Sequence, residues 1–170
     1  MKPIAVDLPY PKTDNICCDK NTAKILSRAY AGPHSELGAI LQYVYHSFFF
    51  EKLCDNKTAD IMTGIALTEM KHLDILGKLI LDLGADPVYA INCLPLEYSF
   101  YSASAVTYSK TPQKMLLDNI SGEMLAISDY NNMINSICNE QVTAVLARIK
   151  LDEELHVLVL KERLKEISGC

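Results

Sequence analysis

The chain has 170 residues, with 16 Lys plus Arg against 21 Asp plus Glu and a formal charge of −5. That length suits one sizeable core, and the mild acidity disfavours a nucleic-acid groove or a basic membrane surface, so neither nucleic acid nor membrane is expected as a partner. No apolar run approaches the roughly 20 residues of a membrane span, and the opening MKPIAVDLPYPKTD lacks the charged-then-apolar pattern of a signal peptide, so a cytoplasmic location is expected.

Residues 1–19, with Pro3, Pro9 and Pro11 and no periodicity, read as an extended N-terminal arm. Residues 20–170 read as one helical domain with four long helical patterns. The first covers 20–53 and carries Ala31-Gly32-Pro33, which should kink or restart it. The second covers 58–84 and stops at Gly84, with Pro87 just beyond, as helix ends commonly do. A stretch rich in Tyr, Ser and Pro follows over 85–110, unusually long for a loop inside a compact domain. The third pattern begins at Thr111-Pro112, an N-cap and first-turn pair, and runs to 138. The fourth covers 140–167. The fold expected is all-α: a ferritin-like antiparallel four-helix bundle, with 85–110 as its single long crossover between helices 2 and 3.

Cysteines occur at 17, 18, 54, 93, 138 and 170, and none forms C-x-x-C. A zinc ribbon or rubredoxin-type site finds no support. Each is read as a reduced thiol acting as a small buried hydrophobe.

The chemistry lies on the inner stripes. On the fourth helix Val142, Leu146, Ile149, Glu153, His156 and Leu160 follow at steps of three and four, which is one face of a 3.6-residue helix. Glu153 and His156 therefore fall on the side to be buried, where a carboxylate is costly unless paired or metal-bound. The second helix repeats this with Ile65, Glu69, His72, Leu76 and Leu79. E-x-x-H thus occurs twice, and residues three apart can serve one centre together. The first and third helices read ELGAILQY (36–43) and EMLAISDY (123–130), both matching E-x-x-A-I-x-x-Y. Glu36 precedes Glu69 by 33 positions and Glu123 precedes Glu153 by 30. The chain is thus two related helix pairs, each offering half of a shared site. Four Glu and two His facing inward make a two-metal carboxylate site with iron or manganese as its expected ions. Zinc or copper can also occupy such ligands, particularly in recombinant material. Without metal, the four crowded carboxylates should all have raised pKa values.

These residues resemble the ferritin-like superfamily of dinuclear carboxylate proteins across 20–167. GPHSELGAILQY is similar to the corresponding stretch of manganese catalases and their spore-coat relatives. TEMKH and DEELH are similar to the two motifs of bacterioferritins, and rubrerythrins are a third near group. The resemblance implies terminal ligands at Glu36 and Glu123, bridges at Glu69 and Glu153, and one metal each for His72 and His156. It also raises a role for Asp152 as acceptor of the Nδ1–H of His72 across the bundle, the alternative being a solvated flank residue. Thr68, the equivalent position on helix 2, would be a weaker partner for His156. Tyr43 and Tyr130 either fill the core or donate hydrogen bonds to ligand carboxylates or bound oxygen species. His34 and His46 lack a paired acid and are read as structural or exposed.

Some features depart from the pattern. Ile120 stands where rubrerythrins carry a further ligand Glu, no rubredoxin module is present, and only three residues follow Ile167, too few for the fifth helix of bacterioferritin cages. Met70 matches a haem-ligating position of bacterioferritins, but packing is the preferred reading and haem is not expected. Leu41, Val44, Tyr45, Phe48 and Phe49 cannot all face one core. An apolar patch of that kind marks an interface, so a homodimer or higher homo-oligomer is expected. The function implied is a dinuclear non-haem redox protein, catalase- or peroxidase-like, acting on hydrogen peroxide or dioxygen. An electron-donor protein is needed if peroxide is not also the reductant. The alternative is a non-catalytic storage or coat-type protein.

Overall fold

The computed structural model describes residues 2–92 and 98–169. Its five helices are α1 (Lys20–Ala31), α2 (Glu36–Lys52), α3 (Asn56–Asp82), α4 (Pro112–Ser136) and α5 (Glu140–Ser168). The first expected helix is two, because the chain restarts at Gly32-Pro33. A Cβ at Gly32 would lie 2.4 Å from the Arg28 carbonyl oxygen, so only glycine lets the chain turn back over the end of α1, and Pro33 cannot donate to a continuing helix. Ser35 then caps α2 by accepting from the Gly38 amide.

Short turns make α2–α3 and α4–α5 antiparallel pairs. Asp55 caps α3 through the Thr58 amide and hydroxyl, at 3.1 and 2.6 Å. Asn139 caps α5 at Gln141 and Val142. Thr111 occupies the cap position of α4 but makes no side-chain cap bond; Pro112 alone starts the helix. Gly84, at φ +82, ends α3 in the left-handed conformation that its lack of a Cβ permits. The connection from α3 to α4 contains a short 3-10 turn, Ala103–Ala105, and one isolated antiparallel bridge from Ala90 to Phe100. The part of this expected crossover at 93–97, with Cys93, lies outside the described residues, as does Cys170.

Two apolar clusters fill the bundle. One joins α1 to the ends of α3, α4 and α5 through Leu26, Leu76, Ile80, Met133 and Leu146. The other, around Phe50, Met62, Ile65, Leu116, Ile120 and Leu160, fills the opposite end. Between them lies a polar waist holding the Glu and His residues of the inner stripes. No described helix is long and apolar enough to cross a membrane.

The cysteine expectation is corrected. Cys17, Cys18, Cys54 and Cys138 are exposed free thiols. Cys17 and Cys18 lie in the arm and Cys54 and Cys138 in the turns after α2 and α4, so no helix stripe draws them into the core.

Candidate metal centre

All six acid and imidazole side chains of the inner stripes are buried, none more than 5% exposed. They form two groups, Glu36–Glu69–His72–Glu153 and Glu69–Glu123–Glu153–His156. Within each, one potential ligand atom per residue lies within 4.8 Å of the others. Glu69 and Glu153 belong to both groups, and each group adds one Glu and one His of its own.

The imidazoles face each other across these shared acids, ring centroids 6.4 Å apart. His72 Nδ1 lies 3.0 Å from Glu69 Oε2, 3.1 Å from Glu153 Oε1 and 3.5 Å from Glu36 Oε2. His156 Nδ1 lies 3.0 Å from Glu69 Oε1, 3.2 Å from Glu153 Oε2 and 3.8 Å from Glu123 Oε1. The outer nitrogens have other partners. His72 Nε2 lies 3.1 Å from Asp152 Oδ2, and His156 Nε2 lies 2.8 Å from the Ile4 carbonyl oxygen. A carbonyl and an ionised carboxylate only accept, so both rings carry a proton on Nε2 and aim Nδ1 at the carboxylates.

This corrects two expectations. Asp152 does hold His72 across the bundle, but through Nε2; Nδ1 is turned to the inner-stripe acids. Thr68 does not pair with His156. Its hydroxyl donates to the Ile4 carbonyl at 2.9 Å, and the two side chains meet only through that oxygen. Ile4 was invisible as a candidate because a main-chain carbonyl leaves no residue-type signature.

The arm supplies more than Ile4. Asp152 also accepts from the Val6 amide at 2.7 Å and the Tyr10 hydroxyl at 2.6 Å, and pairs with Arg148 at 2.8 Å. Arg148 in turn donates to the Val6 and Leu8 carbonyls. Neither Tyr10 nor Arg148 stands out in sequence, although Arg148 lies one helical turn before Asp152 on a face that proves buried. The arm runs so close to α3 that a Cβ at Gly64 would meet Ile4 Cγ1 at 2.9 Å.

The tyrosines cross between the halves. Tyr43 of α2 donates to Glu123 of α4, and Tyr130 of α4 donates to Glu36 of α2. Burial, then the adjacent carboxylate charge, pushes both phenols well above their ordinary range. His34 is exposed, and His46 is buried with Nδ1 3.0 Å from Asn119 Oδ1, so neither joins the centre.

Protonation in the metal-free chain is divided. Burial and then the Glu153 charge raise Glu69 well above the usual carboxylate range and Glu123 to about 8. For Glu153, burial also favours protonation, but the His72 and His156 charges outweigh it and hold the carboxyl low. The expectation that all four acids rise therefore fails at Glu153, the one of the two shared acids that keeps its charge. Both imidazoles are raised well above their ordinary value, the surrounding carboxylates outweighing burial. At Asp152 the hydrogen bonds from His72, Tyr10, Arg148 and the Val6 amide outweigh burial, giving a pKa of about 2.

Glu69 Oε1 and Glu153 Oε1 are fully buried, and each faces an imidazole Nδ1, 3.0 Å away on His156 and 3.1 Å away on His72. A metal ion that displaced those Nδ1 protons would meet the same oxygens and nitrogens. Both oxygens belong to the residues common to the two groups, and the donor set of carboxylate oxygens plus imidazole nitrogen suits iron or manganese. A cavity of about 190 Å³ reaches these acids between α2 and α4. Its inner wall is Glu36, Glu69, Glu123, Glu153, Tyr43 and Tyr130, and exposed residues such as His34, Leu125 and Asp129 form its rim.

A ferritin-like domain family model matches residues 34–168. Among solved structures, the manganese catalase KatB from Anabaena is similar, with a TM-score of 0.84 and 22% identity over 96% of this chain and 80% of that one. The bacterioferritin of Desulfovibrio desulfuricans, described with a diiron site, is similar with a TM-score of 0.73 and 20% identity over 88% of this chain and 81% of that one. No curated protein matches the chain at a significant level.

Proposed function

The chain belongs to the ferritin-like domain family, and from that premise we propose that it is a dinuclear iron or manganese protein that exchanges electrons with hydrogen peroxide or dioxygen. The observation that carries this reading is the convergence of four buried carboxylates and two buried imidazoles into two groups that share Glu69 and Glu153. Glu36 and His72 complete one position, and Glu123 and His156 the other. Four carboxylates balance two divalent charges. Two such ions side by side supply the electron pair that one peroxide takes up or returns.

The remaining roles belong to the chain itself. Tyr43 and Tyr130 each fix one oxygen of Glu123 and Glu36, which leaves the other oxygen of each to bind, and they keep a phenolic proton beside the cavity. Asp152 and the Ile4 carbonyl fix the imidazole tautomers. The cavity suits a small oxidant and opens toward solvent between α2 and α4. Leu41 and Phe48 on α2, 39% and 59% exposed, support pairing of two copies through this helix, which sedimentation of the full chain would test.

The test is to load the protein separately with Mn(II) and Fe(II), confirm two ions per chain, add peroxide, and follow oxygen release and the metal spectrum. Glu69→Ala, which removes a shared ligand, is the control. Peroxide consumption well above that control supports the reading, with oxygen release marking a catalase and a requirement for an added donor marking a peroxidase. If neither metal form outpaces Glu69→Ala, the storage or scaffold reading replaces it.

A further inference from the structure

We propose that the N-terminal arm is a working part of the metal centre: docking of residues 2–14 along the α3–α5 groove and metal binding strengthen each other. This rests on the dinuclear reading above and adds to it a segment that contributes no ligand.

The arm reaches both histidines by different means. On one side the Ile4 carbonyl accepts directly from His156 Nε2 at 2.8 Å. On the other the arm acts through Asp152, which takes the Val6 amide, the Tyr10 hydroxyl and His72 Nε2 on its two oxygens. Arg148 closes the ring, pairing with Asp152 and donating to two arm carbonyls. With the arm in place, each ring is held with Nε2 protonated and Nδ1 presented to the shared acids. With the arm away, His156 Nε2 loses its fixed acceptor, Asp152 loses two of its donors, and either ring is free to turn Nδ1 away from the shared acids. Outer partners of a metal-bound imidazole commonly change metal affinity by about 10- to 100-fold.

Beyond these contacts the arm lies near the surface, with Asp14 and Gln141 of α5 exchanging two bonds at an exposed position. Ala5, Asp7 and Leu8 are exposed, and its deeper contacts concentrate at Ile4, Val6 and Tyr10. Main-chain bonds tie it to α3 at one point, Ile4 to Gly64 at 3.1 Å, and at its far end, where the Asp19 amide donates to Leu83 at 3.1 Å. Coupling between sites is reciprocal. If the docked arm tightens metal binding, bound metal must hold the arm down by the same factor.

The experiment uses the full chain and redox-inert Zn(II), measured by competition with a chromophoric chelator, so no turnover is needed. Val6→Pro removes the single amide that donates to Asp152. Val6→Ala keeps that amide and removes only side-chain packing. A deletion of residues 2–10 removes the arm, with helix content checked by circular dichroism. The expected result is a loss of Zn(II) affinity of about tenfold or more for Val6→Pro and for the deletion, with Val6→Ala close to the full chain. Hydrogen exchange at the Ile4 and Val6 amides should slow when Zn(II) is added to the full chain. A deletion that binds two Zn(II) as tightly as the full chain, or arm exchange indifferent to Zn(II), overturns this inference alone. A full chain that takes up no Zn(II) overturns it together with the dinuclear reading.

Discussion

The bundle has two long seams, and they are finished differently. Along the α3–α5 seam the arm lies in the groove, ties itself to Gly64, Thr68, Arg148, Asp152 and His156, and closes the centre from that side. Along the α2–α4 seam the crossover touches the outer edge, Thr107 bonding Gln42 of α2 and Ser109 bonding Asp118 of α4, yet the cavity still runs from solvent to the carboxylates. The same acid chemistry responds oppositely to the two finishes. Asp152, saturated with donors on the closed side, is held to about 2, while Glu123, on the open side beside Glu153, rises to about 8. Burial raises both acids, and at Asp152 alone of the two the donors outweigh it.

The sharpest way to break this contrast is Asp152→Ala. It leaves the Val6 amide, the Tyr10 hydroxyl, the Arg148 guanidinium and His72 Nε2 without their common acceptor. Breaking a buried ion pair from one side costs about 3–5 kcal/mol, and urea unfolding should register a loss of that size. A change on the open seam, Gln42→Ala, should cost less, about 1–2 kcal/mol, since it gives up neutral bonds to Thr107 and to the buried Asn119 but breaks no ion pair.

The pH response of the metal-free protein sharpens the contrast next. Asp152 has a folded pKa of about 2, below its ordinary 3.8, so its contribution is full above that value and is lost as pH falls toward 2. Glu123 rises from 4.5 to about 8, so its contribution to stability declines as pH climbs through that interval. The raised imidazoles act in the same direction, their contribution being full below 6.5 and lost as pH rises through their folded values. Metal-free protein should therefore melt highest near pH 5 and several degrees lower at pH 8, and saturating metal should recover the loss at pH 8. A melting temperature that is flat from pH 5 to 8 in the presence of chelator would contradict the assignment.

Two mid-helix glycines make the smallest and cleanest comparison, one under each seam. At Gly64 an added methyl meets Ile4 Cγ1 at 2.9 Å and the Lys2 carbonyl oxygen at 3.1 Å, so Gly64→Ala should cost about 1–3 kcal/mol by lifting the arm. At Gly122 the same methyl meets nothing within 4 Å. Gly122→Ala should then stabilise by about 0.5–1 kcal/mol through helix propensity alone. Thermal melts of the two variants should move in opposite directions.

Much of this was written in residue pattern. Gly32-Pro33, Gly84 and Pro112 mark where helices stop and start, because each forbids or permits a specific backbone conformation. The stripes with E-x-x-H and E-x-x-A-I-x-x-Y placed the Glu and His residues in the buried waist, since a 3.6-residue period dictates which positions share a face. What escaped is what a period does not encode. The path of the arm depends on main-chain carbonyls and on Gly64 having no Cβ. The choice of Nε2 over Nδ1 for Asp152 depends on rotamers. Glu69 and Glu153 both lie 3.0–3.2 Å from both imidazole nitrogens, so the division of protons between them belongs to the coupled pair and not to any position a period could mark. Cys54 and Cys138 were read as core by residue type, but turns carry no inner face.

The crossed tyrosine bonds make the two halves interchangeable: a half-turn about the bundle centre would carry Tyr43–Glu123 onto Tyr130–Glu36. The arm spoils that equivalence, because one strand cannot serve two histidines identically. His72 is backed by an anion, and His156 by a neutral carbonyl. An imidazole whose distal N–H leans on a carboxylate is the more basic donor. On the dinuclear reading proposed above, the repeat would build two berths of one design and unequal rank. Metal titration should fill them in two steps, with the berth of Glu36 and His72 first.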